Sequence, residues 1–185
     1  MIDLFEAALH LQTFCDLQDW RSCFIGGIAV QRWGEPRVTR DVDLTILAGF
    51  GSEQRFIEPL LAAYPARIAE AEQFALRHRV LLLRSAAGIG IDISFGALPF
   101  EETVIRRASS FAFGPGVCLR TCSAEDLVVL KLFASRALDV HDAEGVVLRN
   151  KRQLDWQYIE NQLLPLAEVK DEPSILRTLA RLRQL

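Results

Sequence analysis

Hydrophobic positions in the first two thirds of the chain alternate between the helical period and the strand period. Residues 3–18 carry apolar side chains at helical spacing and predict an amphipathic helix. Short apolar runs predict strands at residues 22–25, 42–47, 79–84 and 89–95. Helices are predicted at residues 28–33, 53–63 and 100–108. Gly114-Pro115-Gly116 predicts the turn of a hairpin over residues 111–119.

From Ser123 onward the hydrophobic period is helical throughout. Ser123, followed by Glu125 and Asp126, has the pattern of an N-cap with acids in the first turn. Helices are predicted over residues 124–138, 139–150, 155–165 and 172–184. The pattern predicts an α/β (α+β) protein with a mixed core over residues 1–121 and a helical subdomain over residues 122–185. Because no Ser/Gly/Pro-rich linker separates them, we expect the subdomain to pack on the core.

Composition and charge exclude several classes of protein. Half of the 185 residues are hydrophobic and the net charge is −3, which gives no general attraction to nucleic acid or to an anionic membrane. No apolar run reaches the roughly 18 residues of a membrane span, and residues 1–6 lack the basic start of a signal peptide. We therefore expect a cytoplasmic protein without a membrane partner.

The four cysteines form no Cys-x-x-Cys pair, which favours buried, reduced thiols over a zinc site.

A glycine pair, Gly26-Gly27, follows the first apolar strand and precedes a helix. Glycine lets the backbone approach a ligand closely, and the amide groups at a helix start can bind phosphate. The pair is therefore a candidate phosphate site. A plain tight turn is the alternative interpretation.

Asp41 and Asp43 lie two residues apart at the start of a predicted strand, so their side chains project from the same face. Like charges at this spacing repel each other, and a divalent cation relieves the repulsion. Magnesium prefers a few carboxylates completed by substrate phosphates. The pair is a candidate metal site, with a solvated strand end as the alternative.

Asp92 is the single acid of an alternating strand, in which Ile91 and Ile93 face one way and Gly90, Asp92 and Ser94 the other. Its small neighbours leave room for a ligand or a metal ion. As a third carboxylate, Asp92 is a candidate ligand for a second metal and a candidate base for an attacking hydroxyl. A surface aspartate on an edge strand is the alternative.

Lys131 lies inside the apolar run of residues 127–133, where an ammonium group requires an anionic partner. A phosphate is one candidate. The alternatives are a snorkelling side chain or a structural ion pair with Asp126 or Asp139.

These residues carry a family resemblance. An apolar residue, Gly26-Gly27, a spacer over residues 28–40 and Asp41-Val42-Asp43 together resemble the nucleotidyltransferase-fold superfamily. The end of that stretch, residues 34–44, and the later residues 123–142 resemble the AbiEii/AbiGii toxin branch in particular. The resemblance extends from residue 24 to about residue 164 and implies a small mixed sheet with flanking helices.

The resemblance also implies a role for each matched residue. Gly26 and Gly27 would contact phosphate, and Asp41 and Asp43 would bind Mg²⁺ or Mn²⁺. Lys131 would reach the triphosphate.

A further acid after that lysine is typical of the toxin branch, and Asp139 stands there. Ile28 replaces the Ser or Thr that often follows the glycine pair, so phosphate binding would depend on backbone amides and basic side chains. Arg37 and Arg40 are candidates for that role, or for structural salt bridges.

The activity that these features predict is transfer of a nucleoside monophosphate from a nucleoside triphosphate to an acceptor hydroxyl, with release of pyrophosphate. Candidate acceptors are a transfer-RNA end, a protein side chain or a small molecule, and an antitoxin protein is a candidate partner. A non-catalytic nucleotide-binding or regulatory member of the fold, which Ile28 favours, is the first alternative. A metal-binding phosphohydrolase is another. A Rossmann enzyme is disfavoured because Gly-x-Gly-x-x-Gly is absent after the first strand.

Overall fold

The computed structural model describes the backbone of residues 2–185 and the side chains from residue 4 onward. Its backbone contacts divide into two compact units. The first unit contains the residues up to 28 together with residues 38–122. The second unit contains residues 29–37 and 123–185.

The first unit holds all of the strands in the described part of the chain. Its elements are α1 (Ile2–Leu17), β1 (Ser22–Phe24), β2 (Asp41–Leu47), α3 (Gln54–Ala63), α4 (Ala71–His78), β3 (Val80–Arg84), β4 (Gly90–Gly96), α5 (Pro99–Arg107), β5 (Ser109–Gly114) and β6 (Val117–Thr121). Helix α2 (Gly26–Trp33) begins in the first unit, and its later residues belong to the second.

The strands form one mixed sheet in the order β3-β4-β2-β1-β6-β5. Two pairs are parallel, β2 with β4 and β1 with β6. The other three pairs are antiparallel, namely β1 with β2, β3 with β4 and β5 with β6. The α/β class and the mixed sheet expected from the sequence are thus confirmed.

The two central strands β2 and β4 divide their side chains between two faces of the sheet. Val42, Leu44 and Ile46 on β2 are buried in the hydrophobic core, as are Ile91 and Ile93 on β4. Helices α1, α3 and α4 contribute buried side chains to the same core. Because side chains alternate along a strand, the acids of β2 and β4 lie on the opposite face.

The second unit is helical. Its helices are α6 (Ala124–Ala134), α7 (Ala137–Asn150), α8 (Trp156–Lys170) and α9 (Ser174–Leu182). Ser123 caps α6, since its side chain accepts a hydrogen bond of 3.1 Å from the Asp126 N–H, as the sequence predicted. Asp155 caps α8 in the same way through the Tyr158 N–H.

Four helices differ most from the sequence prediction. Helix α2 begins at Gly26, two residues earlier than predicted, so the glycine pair forms its first turn and does not precede it. Helix α4 was not predicted, and only Ala71 and Ala75 of its eight residues are buried. Helix α6 ends at Ala134, earlier than predicted, because Ser135 adopts a left-handed backbone with φ +57°. Helix α8 runs on to Lys170 with Pro165 inside it.

Within residues 2–185 no helix combines the length and the apolar character that crossing a membrane requires.

The four cysteines are free thiols. Cys15, Cys23 and Cys122 are buried and Cys118 is exposed. Burial raises the pKa of the Cys15 thiol to about 12, so it stays protonated at neutral pH.

Candidate active site

The sheet register brings Asp43 and Asp92 side by side. In the parallel pair of β2 and β4, Asp43 is the direct partner of Asp92, and Asp41 is the partner of Gly90. Neighbouring strands lie about 4.8 Å apart, so two carboxylates in register on one face are close. Strand β4 lies between β3 and β2, so the alternative that Asp92 sits on an edge strand is wrong. We call Asp41, Asp43 and Asp92 the acidic cluster.

The glycine pair lies directly against the acidic cluster. Gly26 has φ +53°, and a Cβ built on it would overlap the Asp43 carboxylate. A Cβ on Gly27 would overlap the Thr39 hydroxyl. The Gly27 N–H donates to Asp43 Oδ2 at 3.3 Å. The close approach to Asp43 and Thr39 therefore requires glycine at both positions.

Arg67, from the segment between α3 and α4, joins two acids of the cluster. Its Nη2 donates to Asp92 Oδ1 at 2.6 Å, and its Nη1 lies 3.7 Å from Asp41 Oδ1. The Asp92 side chain is 32% exposed and that of Asp41 is 54% exposed. Burial raises the pKa of Asp92, while the Arg67 charge acts in the opposite direction.

A second cluster of charged side chains lies within the second unit. Lys131 Nζ is 2.8 Å from Asp139 Oδ1 and 2.8 Å from Asp142 Oδ2. Arg37 binds Asp142 through two hydrogen bonds of 2.6 and 2.7 Å, and Arg136 Nε lies 2.5 Å from Asp139 Oδ2. We call these five residues the charge network.

The carboxylates of the charge network are almost fully buried and are held in the charged form. Burial alone would raise the pKa of Asp139, but hydrogen bonds from Lys131 and Arg136 outweigh it and lower that pKa. Hydrogen bonds from Arg37 and Lys131 likewise lower the pKa of Asp142 against its burial. The structure thus provides Lys131 with the partner Asp139 that the sequence offered, and adds Asp142.

The remaining predicted residues occupy different surroundings. Arg37 is bound to Asp142 as described, which is one of the two roles expected for it. Arg40 is exposed. Asp126 accepts hydrogen bonds from the Ser123 and Tyr158 hydroxyl groups. The phosphate and metal roles of all the site residues stay predictions.

The acidic cluster fits a hard divalent cation, because its donors are carboxylate oxygens and Asp43 repels Asp92 across the register. Over the side chains that the structure describes, no three acidic, imidazole or thiol groups converge as a complete metal cage. Magnesium seldom uses such a cage, since one or two carboxylates with waters and substrate phosphates usually hold it. A pair of acids from the cluster meets that requirement.

Arg67, Arg136 and Asp142 contact candidate residues, and the sequence analysis assigned none of the three a role. Asp142 lies three residues after Asp139 on α7, so helical spacing could have placed both on one face. Arg67 carries no comparable local signal, because it is 25 residues from Asp92 in an irregular segment.

The comparisons with known proteins agree with this fold. The model of the nucleotidyl transferase AbiEii toxin of type IV toxin–antitoxin systems matches residues 16–143. The chain belongs to this family of nucleotidyltransferases, as the resemblance of its glycine pair and acids indicated. No match was found among curated proteins.

Solved structures with a similar fold include the following three. An antigenic nucleotidyltransferase-like protein from Paracoccidioides brasiliensis has 15% identity and a TM-score of 0.51, covering 96% of this chain and 92% of that one. The antibiotic-resistance factor ANT(2'')-Ia has 16% identity and a TM-score of 0.54, covering 92% and 91%. The lincosamide antibiotic adenylyltransferase LnuA, with lincomycin bound, has 15% identity and a TM-score of 0.51, covering 76% and 94%. At these identities the likeness concerns the fold.

Proposed function

We propose that the chain transfers a nucleoside monophosphate from a nucleoside triphosphate to an acceptor hydroxyl in a metal-dependent reaction. The observation that carries the proposal is the pairing of Asp43 with Asp92 in the β2–β4 register, with Gly26 and Gly27 against Asp43. Membership of the nucleotidyltransferase family gives the reaction class. The site residues indicate which groups would bind the metal ion, the phosphates and the proton.

Asp41 and Asp43 are the proposed ligands of Mg²⁺ or Mn²⁺, and Asp92 is the proposed third acid. Bound there, the cation would neutralise charge on the phosphate oxygens and orient them. The Asp43 carboxylate accepts a hydrogen bond from Gly27, which fixes its direction on the face it shares with Asp92. Asp41 is the most accessible of the three, consistent with contact to a diffusing substrate.

Backbone amides are the proposed phosphate donors. Ile28 is fully buried in the hydrophobic core of the first unit, so its side chain contributes packing where relatives often have a hydroxyl. The amides at the start of α2 remain to bind phosphate, and the positive end of the helix dipole favours an anion there. Exposed Arg40, next to Asp41 in sequence, is a proposed additional contact. To contact phosphate, the Arg37 guanidinium would first have to release the Asp142 carboxylate.

The proposed chemical step is an in-line displacement at the α-phosphorus. The oxygen of the acceptor hydroxyl forms a bond to the α-phosphorus, and the bond from the α-phosphorus to the bridging oxygen of pyrophosphate breaks. Asp92 takes the hydroxyl proton. A half-buried carboxylate held by one oxygen to Arg67 keeps its other oxygen for that proton.

The acceptor class is suggested by the relatives. The family is named for a toxin of type IV toxin–antitoxin systems, which supports a cellular macromolecule, such as transfer RNA or a protein, as acceptor and an antitoxin protein as partner. The lincomycin-bound adenylyltransferase supports a small-molecule hydroxyl as the competing acceptor.

The test is to incubate the protein with Mg²⁺, each α-labelled nucleoside triphosphate in turn, and a total cell extract. We expect label in one class of acceptor with an equal amount of pyrophosphate, and no label with Asp43→Asn. Release of inorganic phosphate without labelling would support the phosphohydrolase instead. Nucleotide binding without either product would support a non-catalytic regulator.

A further inference from the structure

Arg67 is held in place by its backbone at the edge of the sheet. Its N–H donates to the Leu82 carbonyl at 2.9 Å, and the neighbouring Ala66 forms a bridge with Leu83. Leu82 is the register partner of Asp92. The segment before α4 is therefore fastened to β3 at the level of Asp92, which limits the positions open to the Arg67 side chain.

The Arg67 guanidinium lies between two acids of the cluster. It donates to Asp92 Oδ1 at 2.6 Å and lies 3.7 Å from Asp41 Oδ1, and its side chain is only 25% exposed. Gly90 leaves the space that this requires: a Cβ there would overlap Asp41 Oδ1 and stand 2.6 Å from Arg67 Nη1. The absence of a side chain at Gly90 therefore leaves the space that the Arg67 guanidinium occupies.

An arginine in this place has two physical effects. A guanidinium group carries a positive charge, so it offsets the repulsion among the three acids. Its charge-assisted hydrogen bond also fixes the rotation of the Asp92 carboxylate, because one oxygen is bound at a short distance. Neither effect requires contact with the substrate.

We propose that Arg67 is a positioning residue for nucleotidyl transfer, which orients Asp92 and offsets the charge of the acidic cluster before a divalent cation binds. This inference rests on the proposed function. It predicts two effects of opposite sign. Removal of the guanidinium strengthens cation binding, because one positive charge no longer repels another. The same change slows transfer, because Asp92 loses its fixed orientation.

Arg67→Met and Arg67→Lys separate these effects. For Arg67→Met we expect Mn²⁺ affinity, measured by titration without nucleotide, to increase about fivefold. We expect kcat to fall about tenfold or more with little change in KM for nucleotide. Arg67→Lys keeps the charge and should restore wild-type Mn²⁺ affinity, but it restores kcat only in part because the planar fork is lost.

Arg79→Met is the matched control. Arg79 is 27% exposed, pairs with Glu53 and lies in the same unit, outside the acidic cluster. The Arg79→Met variant should have a lower melting temperature than wild type and an unchanged Mn²⁺ affinity. If Arg67→Met binds Mn²⁺ with wild-type affinity, or loses kcat only in proportion to the fraction unfolded, Arg67 is a structural residue and the inference is wrong. Wild-type protein that binds no Mn²⁺ at all would instead refute the metal site of the proposed function.

Discussion

Asp43 and Asp92 are direct neighbours on the parallel strands β2 and β4, on the face of the sheet that the hydrophobic core does not cover. Two acids in register destabilise a sheet unless a cation or a donor group compensates them. The Gly27 N–H contacts Asp43 and the Arg67 guanidinium contacts Asp92.

The first prediction concerns the proposed metal ligands. Asp41→Ala and Asp43→Ala should each lower transfer by about 1000-fold or more, since the cation loses a carboxylate. The metal-free melting temperature should stay the same or rise, because one of several repelling charges is gone. Radiolabel transfer and thermal melts measure the two effects. Glu58→Ala, which removes an exposed acid of α3, is the control. Wild-type transfer in both aspartate variants at equal Mg²⁺ would exclude these residues as ligands.

The second prediction concerns Asp92 as the proton acceptor. Asp92→Asn preserves the shape and the contact to Arg67 but cannot accept the proton in the same way. We expect kcat to fall about 100-fold or more, with nucleotide affinity changed less than threefold. Single-turnover rates and equilibrium nucleotide binding test this. A variant with weaker binding and unchanged turnover would show that Asp92 has a binding role only.

The third prediction concerns Gly26. Gly26→Ala introduces a Cβ that overlaps the Asp43 carboxylate, and the left-handed backbone adds about 1–2 kcal/mol of strain. Transfer should fall more than tenfold because Asp43 is displaced. Gly51→Ala is a matched control, since Gly51 has φ +77° and no atom within 4 Å of the new Cβ. Gly51→Ala should impose a similar backbone strain and retain transfer. Equal activities of the two variants would contradict a role for Gly26 in shaping the site.

The fourth prediction concerns Lys131, which is buried between Asp139 and Asp142. Lys131→Met leaves two buried carboxylates with only their arginine partners. We expect a loss of about 2–3 kcal/mol in the free energy of unfolding, measured by urea denaturation without ligand.

Thermal melts with Mg²⁺ and nucleotide separate structure from binding for this variant. A variant that gains the full wild-type stabilisation from Mg²⁺-nucleotide places Lys131 outside the nucleotide site. A variant that loses this stabilisation supports the phosphate contact that the family resemblance implies.

The fifth prediction concerns pH. The pKa of Asp142 is lowered in the folded protein, because hydrogen bonds from Arg37 and Lys131 outweigh its burial. Its contribution to stability is therefore present above the unfolded pKa, near 4, and is lost as pH falls through the folded pKa.

Asp142→Asn tests whether Asp142 is the source of this pH-dependent stability. At pH 7 it should cost about 2–3 kcal/mol, and the difference from wild type should shrink as pH falls below about 4. Urea denaturation from pH 7 to pH 3 measures the difference. A difference that stays constant over that range would contradict the assignment.

The sequence by itself determined the class of fold and the chemical groups of the site. Alternating hydrophobic positions at residues 42–47 and 89–95 identified the two central strands, and the burial of Ile91 and Ile93 confirms the face assigned to Asp92. These features depend on neighbours within a few residues, so local periodicity is enough to predict them. The glycine pair and Asp41-Val42-Asp43 likewise identified the family through short spacings.

Only the tertiary structure decided which of these groups meet. The partner of Asp43 is fixed by the register of two strands that are far apart in sequence, and the hydrogen bonds of the whole sheet set that register. Arg67 reaches Asp92 because its backbone is fastened to β3, and Asp142 bonds to Arg37 across 105 residues. Such contacts arise from packing between distant segments, which no local pattern encodes.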